Sequence, residues 1–150
     1  LENWLGGNVK TIRELLDEKG RQVWSIASTM SVYDALALMA EKNIGAVTVT
    51  DDDRLVGIFS ERDFTRDVVL QGRAAKETRV SEVMTSRPVC VPPEQTVEEC
   101  LALMTDKRVR HLPVVEQDSV IGLVSIGDAV KAVISEQQFT IEQLEQYISG

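Results

Sequence analysis

The chain has 150 residues, and its 24 Asp and Glu against 16 Lys and Arg give a formal net charge of −8. Hydrophobic residues make up 43% and charged residues 27%, which is typical of a folded globular domain and too apolar for a disordered chain. The acidic balance excludes a general nucleic-acid binder, because binding to a phosphate backbone needs clustered positive charge. We therefore expect no nucleic-acid partner.

The sequence carries no membrane or secretion signal. No apolar run approaches the ~20 residues that a bilayer-spanning helix needs, and the first residues lack the basic and apolar regions of a signal peptide. We expect a cytoplasmic protein without a membrane partner. Because the chain starts with Leu1 and not Met, the sequence leaves open whether residues 1–7 are native.

The first half of the chain predicts a helix, a hairpin and a second helix. Residues 1–22 form a lead-in region with a helix around 12–16, and residues 23–70 form the first repeat. Within that repeat we predict a short strand, a helix, a hairpin and a closing helix. Their ranges are 23–26 for the strand, 32 onward for the helix, 46–49 and 55–59 for the hairpin, and 61–70 for the closing helix.

The second half predicts the same order after a polar linker at 71–79. We assign residues 80–136 to the second repeat and residues 137–150 to a C-terminal amphipathic helix. The predicted elements of the repeat are a lead-in segment at 80–84, a strand at 89–91, a helix from 97, a hairpin of 112–115 and 120–124, and a helix at 127–135. The apolar face of the C-terminal helix is open to two interpretations, packing within the chain or an oligomer contact.

A direct self-alignment supports the repeat. A shift of 65 residues aligns 32–63 with 97–128 without a gap, and 11 of the 32 pairs are identical. Ser31 with Asp34, and Thr96 with Glu99, fit the capping box that begins a helix. The predicted fold is therefore of the mixed α/β (α+β) class.

Each repeat ends its hairpin with a Ser-x-x-Asp motif, at Ser60 and Asp63 and again at Ser125 and Asp128. A serine at a strand-to-helix junction exposes its hydroxyl beside the free N–H groups of the helix, where a phosphate is favoured. An Asp three residues later lies on the same face and can accept hydrogen bonds from a ribose diol. The alternative is an N-cap with an Asp that complements the helix dipole.

A phosphate bound to an acidic protein needs local cations. Arg110 and His111 stand at the start of a predicted strand, where the first repeat has Gly45 and Ala46. A guanidinium can hold phosphate oxygens with two donors, whereas an exposed strand-end charge is the alternative for Arg110. The further candidate cations are Arg62, Arg87, Lys107, Arg108 and Lys131.

His111 is the only histidine, and the spacing of a metal site or a Ser-His-Asp triad is absent around it. It either contacts a ligand or makes a structural hydrogen bond. Thr85 is a further candidate for phosphate binding, and apolar positions such as Ile26 are expected to pack against an adenine or within the core. We expect no catalytic residues, no metal and no enzymatic activity.

These residues resemble a tandem pair of cystathionine β-synthase (CBS) domains of the free-standing bacterial type. The resemblance covers roughly residues 11–136 and is carried by three segments. They are Val80-x-x-Val83-Met84-Thr85, the strand start from Arg110 to Val115, and Gly-x-x-Ser-x-x-Asp at 57–63 and 122–128. It implies two βαββα repeats packed with pseudo-twofold symmetry around two clefts, and commonly a homodimer.

The resemblance also implies a regulatory function. Such pairs bind adenosyl ligands, with AMP favoured here and ADP, ATP, NAD(H) or S-adenosylmethionine as other candidates, and they sense energy or redox state. The nucleotide residues implied are Ser60, Arg62, Asp63, Thr85, Arg110, His111, Ser125, Asp128, Ile26 and Ala46. The alternative function is a structural dimerisation module with empty clefts. The regulated partner protein, the dimer orientation and the number of occupied clefts are not encoded in recognisable residues.

Overall fold

The computed structural model describes residues 10–149, and the side chains of residues 10–148. Residues 1–7 of uncertain origin lie outside the described residues. The fold is the expected mixed α+β arrangement of two repeats followed by a C-terminal helix. Its helices are α1 (Ile12–Lys19), α2 (Val32–Lys42), α3 (Glu61–Asp63), α4 (Val80–Val83), α5 (Val97–Lys107) and α6 (Ile126–Ser149). Its strands are β1 (Ser25–Ile26), β2 (Ala46–Asp51), β3 (Arg54–Ser60), β4 (Thr85–Ser86), β5 (His111–Glu116) and β6 (Ser119–Ser125).

The long helix of each repeat begins at the predicted cap. The Thr96 hydroxyl accepts from the backbone N–H of Glu99, whose carboxylate accepts from the Thr96 N–H in return, so α5 has a complete capping box. At α2 the Ser31 hydroxyl accepts from the Asp34 N–H at 3.0 Å, but the structure shows only this half of the box.

The two hairpins have the same geometry. Each has a two-residue turn with positive φ, at Asp52 and Asp53 in the first repeat and at Gln117 and Asp118 in the second. Such turns match the right-handed twist of the flanking strands. The register also shifts at the same place in both, after Val49 and after Val114. The repeat in the sequence is therefore a repeat in backbone detail.

The strands form a four-stranded sheet of order β1-β2-β3-β4 and a two-stranded sheet of β5 and β6. β1 runs parallel to β2, and the other pairs are antiparallel. The strand predicted at 89–91 is reduced to a single parallel bridge between Val91 and Val114. The first sheet is larger because β4, which follows α4, pairs with β3 of the first repeat.

The lead-in helices are exchanged between the repeats. α1 precedes the first repeat in the chain, but the Ile12 N–H donates to the Gln95 carbonyl at 2.8 Å and the Val97 N–H donates to the Lys10 carbonyl at 3.0 Å. α4 does the converse, since the Val80 N–H donates to the Met30 carbonyl at 2.8 Å. Each helix therefore completes the half of the fold to which it is not adjacent in sequence.

The core divides into two clusters that reflect this exchange. Leu15 and Leu16 of α1 pack with Cys100, Met104 and Leu112 of the second repeat. The other cluster joins the first repeat to α4, and its buried members are Ile26, Val32, Ala35, Met39, Val47, Val49, Phe59, Val68, Val80 and Val83. Burial of these apolar side chains is the main stabilising contribution to such a fold.

The closing helices differ from their predicted form. In the first repeat, one α-helical turn continues as a π-helical segment, Phe64–Val69, in which the Leu70 N–H donates to the carbonyl of Thr65, five residues earlier. In the second repeat, the predicted helices at 127–135 and 137–150 are one continuous helix, α6. No glycine or proline interrupts the sequence between them. No helix in the described part of the chain is long and apolar enough to span a bilayer.

Candidate functional site

Two clefts lie between the repeats, one beside each Ser-x-x-Asp motif. The first cleft, of about 320 Å³, contains Ser60 and Asp63 and is closed on the opposite side by residues 108–111 of the second repeat. The second cleft, of about 460 Å³, contains Ser125 and Asp128 and is closed by residues 43–46 of the first repeat. The two clefts can therefore be compared residue by residue.

In the first cleft, Ser60 is the N-cap of α3. Its hydroxyl accepts from the Asp63 N–H at 3.2 Å, and the Asp63 carboxylate accepts from the N–H and hydroxyl of Ser60 at 3.0 and 3.1 Å. The Thr85 hydroxyl donates to the other Asp63 oxygen at 3.3 Å. Burial raises the pKa of Asp63 despite these hydrogen bonds. The Asp63 carboxylate is half-buried and can accept further hydrogen bonds. It forms no salt bridge with any of the described residues.

The cations of the first cleft are arginines. Five of them line it, which are Arg62, Arg66, Arg87, Arg108 and Arg110. Within residues 10–149 none of these five forms a salt bridge, whereas Arg13, Arg21 and Arg73 are all paired with carboxylates. Only Asp63 and Glu61 contribute negative charge to the lining. The cleft is therefore a local positive site in an acidic protein.

Backbone strain accompanies two of these arginines. Arg87 and Arg108 have φ values of 52° and 57°, in the left-handed region that non-glycine residues seldom adopt. Arg108 ends α5, and the corresponding residue at the end of α2 is Asn43, with a φ of 54°. Asn tolerates this conformation better than Arg does. The second repeat thus keeps a guanidinium at a position where a different residue suits the backbone better.

Apolar side chains form the remaining walls of the first cleft. Ile58, Val89 and Val109 line it beside the polar groups. A mainly apolar wall with a few directed polar groups is the usual composition of a small-molecule site. The first cleft combines a carboxylate, apolar walls and a cationic end.

The second cleft has the same Ser-x-x-Asp motif, but its carboxylate has a cationic partner. The Ser125 N–H donates to the Asp128 carboxylate at 2.9 Å, and the Ser125 hydroxyl accepts from the Asp128 N–H at 3.0 Å. Asp128 is also paired with Lys19, whose ammonium lies 2.5 Å from Oδ2. Burial by itself would raise the pKa of Asp128, but the Lys19 contact and the Ser125 backbone hydrogen bond outweigh burial and lower it.

His111 and Gly45 lie between the two clefts and line both of them. A Cβ on Gly45 would lie 3.7 Å from Nε2 of His111, so the two residues are in van der Waals range of each other. Burial lowers the pKa of His111, and the neighbouring Lys19 and Arg110 lower it further. The ring is consequently neutral at pH 7 and can donate or accept a hydrogen bond at either cleft.

The sequence-predicted residues divide between the clefts. Ser60, Arg62, Asp63, Thr85 and Arg110 line the first. Ser125, Asp128 and Ala46 line the second, and His111 lines both.

Of the two alternatives for Ile26, adenine packing or core, the structure shows the core. Ile26 lines neither cleft, because it pairs with Val49 in the sheet, is only 4% exposed and belongs to the core of the first repeat. Of the other candidate cations, Lys107 extends beside Asp106, and Lys131 lines a separate cavity with Lys10 and Lys19.

Arg66 and Lys19 are among the cleft residues that sequence reasoning missed. Arg66 lies one helical turn after Arg62, and its counterpart in the second repeat is Lys131, so a basic residue at the same position of both repeats was an available signal. Lys19 carried no signal, because only the exchange of α1 brings it to Asp128. No group of His, Cys, Asp and Glu in the described chain is arranged to hold a metal ion.

Comparison with known proteins defines the class. The sequence model of the CBS domain matches residues 12–69 and 80–135, so the chain belongs to the CBS domain family and contains two copies of the domain. It is 50% identical to a solved structure from Burkholderia ambifaria MC40-6, described as a candidate signal-transduction protein with CBS domains. That match has a TM-score of 0.82 and covers 88% of this chain and 99% of the other.

Two further CBS domain proteins match most of the chain. The crystal structure of the CBS domain NE2398 is 48% identical, with a TM-score of 0.81 over 85% of this chain and 99% of that one. The mitochondrial CBS domain-containing protein CBSX3 of Arabidopsis thaliana is 39% identical over 149 residues, covering 93% of this chain and 72% of its own length. The family and the fold agree with the resemblance seen in the sequence.

Proposed function

We propose that this chain is a non-catalytic regulatory module that binds an adenosyl nucleotide in the first cleft. One observation supports this most directly. Asp63, which has no cationic partner among the described residues, lines the same cleft as five arginines and several apolar side chains. CBS proteins commonly act as regulatory or signal-transduction modules, and a relative at 50% identity is described in those terms.

The polar groups suit the parts of a nucleotide. The Asp63 carboxylate accepts hydrogen bonds from the 2′- and 3′-hydroxyls of the ribose. The adenine packs against Ile58, Val89 and Val109, and the phosphates lie toward the arginines, which bind phosphate oxygens with paired donors. AMP is the ligand that the sequence favours, and ADP, ATP and NADH present the same adenosyl half to Asp63.

Isothermal titration calorimetry with AMP, ADP, ATP, NADH and S-adenosylmethionine tests this function. We expect Asp63→Ala to weaken the affinity for the preferred nucleotide by at least ~10-fold, a loss of about 1.4 kcal/mol. Asp67→Ala is the matched control, because Asp67 is an exposed carboxylate four residues later that lines neither cleft. Equal affinities of the two variants would disprove the site, and no binding by the parent protein would disprove the function.

A structural dimerisation module is the second candidate, favoured by one observation. α6 exposes an apolar stripe, which consists of Ile126, Val130, Ile134, Ile141, Leu144 and Ile148. Spacings of three and four residues put side chains on one helix face, as in a helix that packs against a partner. A CBS-CP12 protein at 30% identity is described as hexameric. We propose that this stripe forms a homodimer contact, which is compatible with either function.

The two candidates differ in their response to nucleotide. A ligand at 100 times its dissociation constant stabilises a protein by about 2.7 kcal/mol, so the nucleotide sensor shows a higher Tm with its ligand. A purely structural module shows no such shift. The regulated partner protein and the cytoplasmic location remain predictions of the sequence.

A further inference from the structure

The Asp128 carboxylate of the second cleft is already bound by a side chain of the protein itself. Lys19 is the last residue of α1, and its ammonium donates to Oδ2 of Asp128 and to the backbone carbonyl of Leu123 at 2.7 Å. Asp128 is the counterpart of Asp63 in the 65-residue alignment. The group that would receive a ribose diol in the second cleft is therefore already bound to a cation.

The corresponding contact in the first cleft is neutral and weaker. There the Thr85 hydroxyl, which follows lead-in helix α4, lies 3.3 Å from Asp63. In the second cleft the ammonium of Lys19, at the end of lead-in helix α1, lies 2.5 Å from Asp128. A charge-assisted hydrogen bond is roughly twice as strong as a neutral one. The exchanged helices thus deliver different groups to equivalent carboxylates.

The position of Lys19 is held by the packing of its helix. Leu15 and Leu16, one turn earlier, are 4% and 0% exposed in the core of the second repeat. The Gly20 N–H donates to the Leu16 carbonyl at 2.7 Å, which closes the end of the helix. The backbone of Lys19 is therefore held beside the second cleft, and a ligand that binds Oδ2 of Asp128 must displace the ammonium from it.

Both cations in the lining of the second cleft, Lys19 and Arg21, are paired with carboxylates. Arg21, its other cation, is paired with Asp17 at 2.7 Å. His111 is shared with the first cleft and is neutral at pH 7. The contrast with the first cleft is complete among the described residues, since the five arginines there have no carboxylate partner.

We propose that Lys19 is an internal occupant of the second cleft, which blocks the ribose position at Asp128 and limits each chain to one nucleotide, bound in the first cleft. This inference rests on the proposed nucleotide function of the first cleft. It makes Lys19 the residue that determines stoichiometry, although Lys19 belongs to neither Ser-x-x-Asp motif.

The test is the number of AMP or adenosine molecules bound per chain, measured by calorimetry and native mass spectrometry. Lys19→Met keeps the apolar stem and removes the charge, and Lys19→Ala is a second variant with the same expectation. We expect one molecule for the parent protein and two for either Lys19 variant. Arg21→Met is the matched control, because it removes a cation from the same cleft without contacting Asp128, and it stays at one.

Combined variants assign each bound molecule to a cleft. Lys19→Met with Asp63→Ala retains one molecule, and Lys19→Met with Asp128→Ala also retains one. Two molecules on the parent protein, or one on both Lys19 variants, overturn the inference while leaving the nucleotide function intact. Absence of binding to the parent protein and to every variant overturns the nucleotide function itself, and the inference with it.

Discussion

At the scale of single residues, identical side chains acquire different properties from their neighbours. Asp63 and Asp128 occupy the same place in the repeat, and each caps a helix with its serine. Burial raises the pKa of Asp63, whereas Lys19 and Ser125 bring that of Asp128 below its ordinary value. The sequence contains one repeated motif, but the structure contains one carboxylate without a cationic partner among the described residues and one paired with Lys19.

This difference predicts two separate titrations. Carbon-detected NMR of the side-chain carboxyls should give a pKa above 3.8 for Asp63 and below 3.8 for Asp128. Lys19→Met should raise the Asp128 pKa and leave that of Asp63 unchanged. Because the folded-state pKa of Asp128 is lowered, its stabilising contribution is present above pH 3.8 and is lost as the pH falls through the lowered value. Titration of both groups on the same side of 3.8 would contradict this account.

Because Arg108 has a left-handed backbone, we expect its substitution to have opposite effects on the stability of the protein and on its affinity for ATP. Arg108→Asn introduces the residue that the first repeat has at Asn43, where φ is also left-handed. We expect the unfolding free energy to rise by up to about 1 kcal/mol, because Asn adopts this conformation with less strain. The affinity for ATP should fall, because a phosphate-binding guanidinium is lost. Urea unfolding and calorimetry measure the two effects.

Arg110→Ala is the companion variant, because Arg110 lines the same cleft without a left-handed backbone. It should weaken ATP binding with no gain in stability. If Arg108→Asn bound ATP as tightly as the parent protein does, the guanidinium would have no role in phosphate binding.

At the scale of elements, the glycine of each repeated Gly-x-x-Ser-x-x-Asp motif leaves room for the lead-in segment that packs against it. A Cβ on Gly122 of β6 would lie 2.6 Å from Cδ2 of Leu16 in α1. A Cβ on Gly57 of β3 would lie 2.6 Å from Sδ of Met84 and 2.9 Å from the Thr85 carbonyl, next to β4. The glycine of each repeat therefore contacts the exchanged segment, and its small size has a packing reason.

Gly122→Ala should accordingly destabilise the protein by about 1–3 kcal/mol, since Leu16 is fully buried and has little room to move. Gly127→Ala is the control, because its Cβ would meet only the Ser125 hydroxyl at 3.6 Å and it lies in helix α6. Alanine is favoured over glycine within a helix by roughly 1 kcal/mol. Denaturant unfolding should show opposite signs for the two variants. Equal effects would mean that the contact with Leu16 does not constrain β6.

The elements also show what sequence could predict. Apolar periodicity and capping residues predict α2 and α5, and the polar turns predict both hairpins. These elements are predictable because their signals depend on residues close together in the chain. The pairing of Lys19 with Asp128 depends on residues 109 positions apart. The family resemblance predicted clefts, but it did not indicate which helix supplies the residues beside them.

At the scale of the whole molecule, the net charge of −8 coexists with a cleft of five arginines. The arginines of the first cleft come from both repeats. Arg62 and Arg66 follow β3, Arg87 follows β4, and Arg108 and Arg110 precede β5. The positive site exists only when the two repeats pack together.

The exchange of α1 and α4 makes this packing cooperative. Leu16→Ala removes a fully buried side chain from a helix that precedes the first repeat but packs in the second. We expect a loss of about 2–5 kcal/mol, as for other buried Leu-to-Ala changes. Because α4 in turn completes the first core, the two hairpins should unfold together. Amide hydrogen exchange at Val47 in β2 and Leu112 in β5 should therefore accelerate by similar factors, whereas acceleration confined to Leu112 would show that the repeats unfold independently.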